Sequence, residues 1–331
     1  MADIDTGALY ERFPYPSPEV EGALIRDTAI AIALLLEDDR LQNWRVLDLG
    51  CGTGHRLVAL ALQYPDAQFT GIDPSKRSLD VARELADRNG VTNVRFVHGA
   101  IPELVLPETF DLIVSTGVLH HIPRPEEGVR WAVEHLVADG LFYLWLYGAL
   151  GEHSRMLDRE LVHLLAGESG DGPDLETVRA LGLKLSRTRY GATSEGGGAT
   201  QRVQSSLDAD AYLNPIVQPL TFAEVADLFH GLPVDWVAAF GVNVEDEGKL
   251  IDLGGLDGDS MFSVSPESLF DDAELRKRFD ALRPLDRARA LELRLRPTGI
   301  SVVAGRGSSL EDCVPRMRGN ILVRPSGAPD V

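Results

Sequence analysis

Three glycines at alternate positions close an apolar run in Val46-Leu47-Asp48-Leu49-Gly50-Cys51-Gly52-Thr53-Gly54-His55. A buried strand that turns sharply into a helix needs backbone angles that glycine adopts at little cost. It also lets a ligand approach the backbone with no Cβ in the way. The amides of the turn and the helix N-terminus behind them form a polar cradle. The spacing departs from the G-x-G-x-x-G of dinucleotide folds, since the third glycine would fall on His55 counted from Gly50, or on Leu57 counted from Gly52. Asp48 adds a carboxylate that is unfavourable beside a pyrophosphate and suited to a cationic ligand. One strand later, Gly71-Ile72-Asp73-Pro74-Ser75 places a second carboxylate where it can accept hydrogen bonds from both hydroxyls of a ribose.

Histidines supply the candidate proton-transfer groups. His120 and His121 follow the fourth strand, at the carboxyl edge where open α/β sheets bind ligands. Adjacent side chains diverge, so one of the two is expected to face the site and the other to pack or to bond a carbonyl. His153, beside Arg155 and just past the fifth strand, is the alternative base. His55, His98, His135, His163 and His230 read as core or surface residues. Neither H-E-x-x-H nor paired C-x-x-C spacing occurs, so no metal is expected. In the aromatic run Phe142, Tyr143, Trp145, Tyr147, the last residue is the one placed to reach a site. Tyr10 and Tyr15 could fold over a ligand as a cover, and Tyr212 could belong to a lid.

These groups need elements to hold them. Strands are predicted at Arg45–Leu49, Gln68–Ile72, Asn93–Val97, Phe110–Ser115 and Leu141–Tyr147, with helices at His55–Tyr64, Ser75–Asn89 and Pro125–Ala138 between them. Such alternation implies βαβ units and a parallel sheet covered on both faces. A helical run precedes it within Val20–Glu37, and another follows at 151–165. Gly167–Pro173, Gly191–Thr200 and Gly254–Ser260 read as loops, the second of them mobile. Beyond lie a helix near Phe222–His230, a strand at Val234–Phe240, a charged helical region Asp272–Leu295 and a strand at Ile300–Ala304.

Composition narrows the function classes. Of 331 residues, 44% are hydrophobic and 25% charged, which excludes a disordered chain. A net charge of −19 repels phosphates and anionic lipid, so neither a nucleic-acid nor a membrane partner is expected. No apolar run reaches membrane-spanning length, and the acidic N-terminus lacks the apolar core of a signal peptide. Two cysteines, Cys51 and Cys313, fit a reducing cytoplasm.

The run Val46–Tyr147 resembles the class I S-adenosylmethionine-dependent methyltransferases, in VLDLGCGTG, GIDPS, FDLIVSTGVLHHI and DGLFYLWLYG. The pieces YERFPYP, YGALGEHSR and Asp210-Ala-Tyr-Leu-Asn-Pro are similar to a bacterial subgroup. The resemblance implies that Gly50, Cys51, Gly52 and Gly54 line the methionine and ribose moieties, that Asp48 lies near the methionine amino group, and that Asp73, beside Pro74, holds the ribose. Ala100 and Ile101 would flank the adenine, with a backbone group replacing the acid often found where Ala100 stands. Thr116 and Val118 would face the cofactor. The implied architecture is an α/β doubly wound, mostly parallel seven-stranded sheet with helices on both faces. An N-terminal helical cover (1–40) would precede the binding core (41–150), followed by a lid insertion after strand five (151–220), completion of the sheet (221–305) and a tail (306–331). The implied activity is methyl transfer to a small molecule, a specialised metabolite, with His120 or His121 as base and Tyr10, Tyr15, Tyr147, Arg155 and Tyr212 contacting substrate. A protein or peptide acceptor and a non-catalytic binding module are the alternatives, and an oligomer is allowed.

Overall fold

The computed structural model describes residues 6–20, 23–36, 41–166, 174–185, 200–244, 250–253, 264–307 and 314–325. Its strands are β1 (Arg45–Leu49), β2 (Gln68–Asp73), β3 (Val94–His98), β4 (Phe110–Thr116), β5 (Leu136–Tyr147), β6 (Trp236–Asn243), β7 (Leu250–Asp252), β8 (Gly299–Gly305) and β9 (Ile321–Val323). They form one sheet in the order β3-β2-β1-β4-β5-β8-β6-β7, with β9 also on β6. β1 to β5 are parallel, whereas β8 runs antiparallel to both β5 and β6. The seven expected strands are therefore present, and the three-residue β7 and β9 extend the sheet on its β6 side.

The order reverses at β1, whose neighbours are β2 and β4. Their carboxyl ends splay apart there, opening the crevice that parallel sheets offer to ligands. Strand burial explains the apolar runs. β1, β2 and β8 are covered on both faces, and two hydrophobic clusters lie against the sheet, one around Ile32, Leu57 and Phe69, the other around Phe110, Phe142 and Phe229.

Several helices differ from the sequence expectation: the run within Val20–Glu37 narrows to Asp27–Leu35 and the one near Phe222–His230 to Phe222–Asp227. The helix begun at Pro125 stops at Glu134 because β5 opens earlier, with Leu136 paired to Phe110 across a bulge that ends at Leu112. The charged region divides into Ala273–Asp280 and Pro284–Leu295, since proline fits only the first turn of a helix.

Helix Asp27–Leu35 packs into the sheet's own helical layer, and helix Thr6–Arg12 leads into a segment that crosses the sheet's carboxyl edge. Leu9, Phe13 and Tyr15 pack against a third cluster built from the insertion, including Val162, Val178, Leu207 and Tyr212. The loops expected at 167–173, 191–199 and 254–260 lie outside the described residues.

Candidate active site

All three glycines of the β1 turn have positive φ, each for its own steric reason. A Cβ on Gly50 would meet Val118 Cγ2 at 2.5 Å, and one on Gly52 would lie 2.3 Å from the Tyr15 carbonyl oxygen. A Cβ on Gly54 would meet Ala82 Cβ at 2.8 Å. Gly54 does not line the cavity; it lets two helices approach. The turn is tied to β2 by the Cys51 amide, which donates to the Ile72 carbonyl (2.9 Å), and by the Gly52 amide, which donates to Asp73 Oδ2 (2.9 Å). Asp73 Oδ1 accepts from the Ser75 amide (2.9 Å).

A cavity of about 440 Å³ opens at this edge. Asp48, Gly50, Cys51 and Gly52 line one end and Asp73 with Pro74 its flank. Ala100, Ile101, Thr116 and Val118 also line it, Val118 against Gly50, and His121, Tyr10 and Tyr15 contribute to its wall. Glu103, which sequence reasoning did not single out, lies in the wall near Ala100. Burial pushes the Asp48 carboxyl up to about 7 against the pull of the Arg56 guanidinium. Burial likewise raises Asp73 to about 6, opposed by the two amides. A buried carboxyl with so raised a pKa would regain its charge beside a cation. S-adenosylmethionine fits these residues: its methionine ammonium suits Asp48, its ribose diol suits the remaining acceptor capacity of Asp73, and the Gly50–Gly52 backbone leaves room for its chain.

The two adjacent histidines diverge, as expected. His121 lines the cavity; its Nδ1 donates to the Ile216 carbonyl (2.8 Å), and its Nε2 lies 3.6 Å from Asp210 Oδ1. Burial lowers its pKa and the Asp210 charge opposes that. His120 sits behind it, fully buried, accepting from the Tyr147 amide at Nδ1 (3.3 Å) and stacked on the Tyr147 ring (centroids 3.9 Å apart). Its pKa is driven well down by burial, so it packs as a neutral ring away from the cavity. His153 is exposed at the start of helix His153–Leu165 and does not line the cavity.

Of the expected substrate contacts, Tyr10 and Tyr15 border the cavity; Tyr147, Arg155 and Tyr212 do not. The Tyr147 hydroxyl donates to Asp210 Oδ2 (3.0 Å). Arg155 is ion-paired with Glu152, its guanidinium carbon 4.4 Å from the centre of the Tyr147 ring. Tyr212 is buried in the insertion's own cluster. The residue that gathers these groups is Asp210, on the π-turn Ala209–Leu213. It was visible beforehand only as the first letter of Asp210-Ala-Tyr-Leu-Asn-Pro.

Comparison with known proteins agrees with this geometry. A family profile described as a methyltransferase domain matches residues 41–162. The chain is 30% identical over 255 residues to the uncharacterized protein syc1184_c of Synechococcus sp., covering 75% of this chain and 57% of that one. It is 34% identical over 104 residues to a malonyl-[acyl-carrier protein] O-methyltransferase of Bacillus anthracis, covering 31% of this chain and 38% of the relative. Among solved structures, PKMT2 from Rickettsia typhi in complex with AdoHcy superposes with a TM-score of 0.55 at 18% identity, over 82% of this chain and half of that chain, a likeness of fold. The chain thus spans little more than half the length of the first of these relatives, and less of the second. Residues 41–162 form a methyltransferase domain of the class I S-adenosylmethionine-dependent family.

Proposed function

We propose that the chain transfers a methyl group from S-adenosylmethionine to a small molecule, with His121 as base or positioning group. The observation that carries this reading is the single cavity joining the Asp48–Gly52 turn and Asp73 to His121. When bound, S-adenosylmethionine supplies a methyl already activated by its positive sulfur. The protein's contribution is then to orient the acceptor, exclude water and receive a proton. Asp48, Gly50, Cys51, Gly52, Asp73, Pro74, Ala100, Ile101, Thr116 and Val118 hold the cofactor. Tyr10 and Tyr15 from the N-terminal segment and Ile216 from the insertion wall the acceptor end, which favours a pocket for a small molecule over a groove for a protein chain. In this reading the N-terminal segment around Leu9, Phe13 and Tyr15 and the part of the insertion it packs against act together as the cover of the core, while helix Asp27–Leu35 belongs to the core itself.

Calorimetric titration with S-adenosylmethionine and S-adenosylhomocysteine tests the cofactor site. Asp73→Ala is expected to weaken binding by about 1–3 kcal/mol, the scale for leaving polar groups unpaired; an unchanged affinity removes Asp73 from the site. Incubation of a cell extract with methyl-labelled cofactor tests the acceptor. Label is expected in the low-molecular-mass fraction, and label confined to protein would reject a small-molecule substrate. Once an acceptor is in hand, His121→Ala should slow its turnover about 10²–10⁴-fold if His121 is the base.

A further inference from the structure

We propose that Asp210 is the counter-ion that enables His121 to take up a proton, which makes this carboxylate a positioning residue of the acceptor site. Its part in methyl transfer rests on the function proposed above; its coupling to His121 does not. Asp210 is 2% exposed, yet its oxygens have assigned places. The Tyr10 hydroxyl donates to Oδ1 (2.6 Å) and the Tyr147 hydroxyl to Oδ2 (3.0 Å). Asn214 Nδ2 donates in turn to the Tyr10 oxygen (2.9 Å), fixing the direction of that hydroxyl. Three separated stretches, the N-terminal helix, the end of β5 and the insertion, converge on one carboxylate.

His121 is held just as firmly. Because a carbonyl only accepts, the hydrogen bond to Ile216 puts a proton on Nδ1 and leaves the Nε2 lone pair bare in the neutral ring. Nε2 has no hydrogen-bond partner among the described residues, and the nearest carboxylate oxygen stands 3.6 Å away. Two acceptors at that distance do not bond. Placing a proton on Nε2 converts the same pair into a charge-assisted N–H···O contact after a shift of a few tenths of an ångström. Asp210 is thus placed to receive the protonated imidazole, with the ring orientation already set, against the burial that lowers the His121 pKa.

The surrounding charges sharpen the assignment. Arg155 and Arg159 both disfavour a positive His121, and His120, its ring centroid 4.2 Å away, is kept neutral by burial. Arg155 is ion-paired with Glu152, and Arg159 donates to the carbonyls of Ala211 and Asn214. Asp210 is the nearby carboxylate that favours the charged ring. The consequence for substrate is chemical: the acceptor carries a proton on the attacked atom, as O–H, N–H, S–H or an acidic C–H, rather than being a thioether or a tertiary amine, which would need no base.

Nuclear magnetic resonance titration of the His121 imidazole in the ligand-free full chain tests the coupling. Asp210→Asn should lower its pKa by about 1–3 units, the scale of removing an opposite charge at this distance. Tyr10→Phe should move it the other way, because Oδ1 loses a competing donor and holds the imidazolium more strongly. A His121 pKa unchanged in Asp210→Asn, or displaced in the same direction by both variants, overturns the proposal. Should Asp210→Asn fail to fold, Tyr10→Phe decides by itself: a rise supports the counter-ion, and no change or a fall rejects it. S-adenosylhomocysteine binding, measured by calorimetry in parallel, reports separately on the methyltransferase reading.

Discussion

With the methionine ammonium placed beside it as proposed, Asp48 would link protonation to ligand binding. Its carboxyl, raised to about 7 in the free protein, is largely protonated just below neutrality. A cationic ligand beside it draws the pKa down, so binding releases a proton. Affinity for S-adenosylhomocysteine, which keeps the methionine ammonium, should climb by up to tenfold per pH unit from about 5.5 to 7 and level off above. Calorimetry across pH 5.5–8.5 checks this. Asp48→Asn should bind more weakly and lose most of the slope, and a wild-type affinity independent of pH would remove Asp48 from contact with the cation. Asp48 and Asp73 were legible in the sequence because strand ends next to glycine turns are fixed by local chain direction. Asp210 was not, since its meaning depends on Tyr10, 200 residues away, and on Tyr147, 63 residues away. The choice between His120 and His121 was equally closed to sequence reasoning: which of two neighbours faces the crevice is decided by the 3-10 turn Leu119–His121 and by the Ile216 carbonyl.

Among the elements, the N-terminal segment and the glycine turn are built as one piece. The Tyr15 carbonyl accepts from the Thr53 amide (2.9 Å), and His55 Nε2 donates to the Glu19 carbonyl (3.1 Å). His55 thus occupies the dinucleotide-type third-glycine position for a reason of its own: it fastens the chain that crosses the cavity, and burial lowers its pKa to about 4. Gly52→Ala should therefore detach the segment rather than unfold the domain. A Cβ 2.3 Å from the Tyr15 carbonyl cannot be accommodated unless residues 13–16 move. The expected result is faster proteolytic cleavage before residue 20 and weakened S-adenosylhomocysteine binding, with the melting temperature lowered by only a few degrees. Cleavage at the wild-type rate would show that the turn holds the segment without this contact. The seven longer strands were legible, β1 to the residue, because most are buried on both faces and leave apolar runs between glycine and proline signals; β6 is displaced towards its C-terminal end, at Trp236–Asn243 rather than Val234–Phe240, and the three-residue β7 and β9 are too short to give such a run. The start of β5 was not, because Leu136–Gly140 carries no apolar alternation and is drawn into the sheet by its pairing with Phe110.

At the scale of the whole molecule, a net charge of −19 works against compactness. Several ion pairs such as Arg95–Glu108 and Arg83–Asp80 are substantially exposed and contribute little each. Self-repulsion among the surplus acids acts over a longer range than those pairs and is screened by salt. The balance predicts that raising sodium chloride from about 10 to 200 mM stabilises the ligand-free protein, with a melting temperature higher by about 2 °C for each kcal/mol of repulsion removed at this chain length. Differential scanning calorimetry at fixed pH checks the sign. A melting temperature that falls with salt would mean that attractive pairs outweigh the surplus. The same experiment at pH 5 should show a smaller salt effect, since partial protonation of carboxylates and protonation of exposed histidines both reduce the excess negative charge.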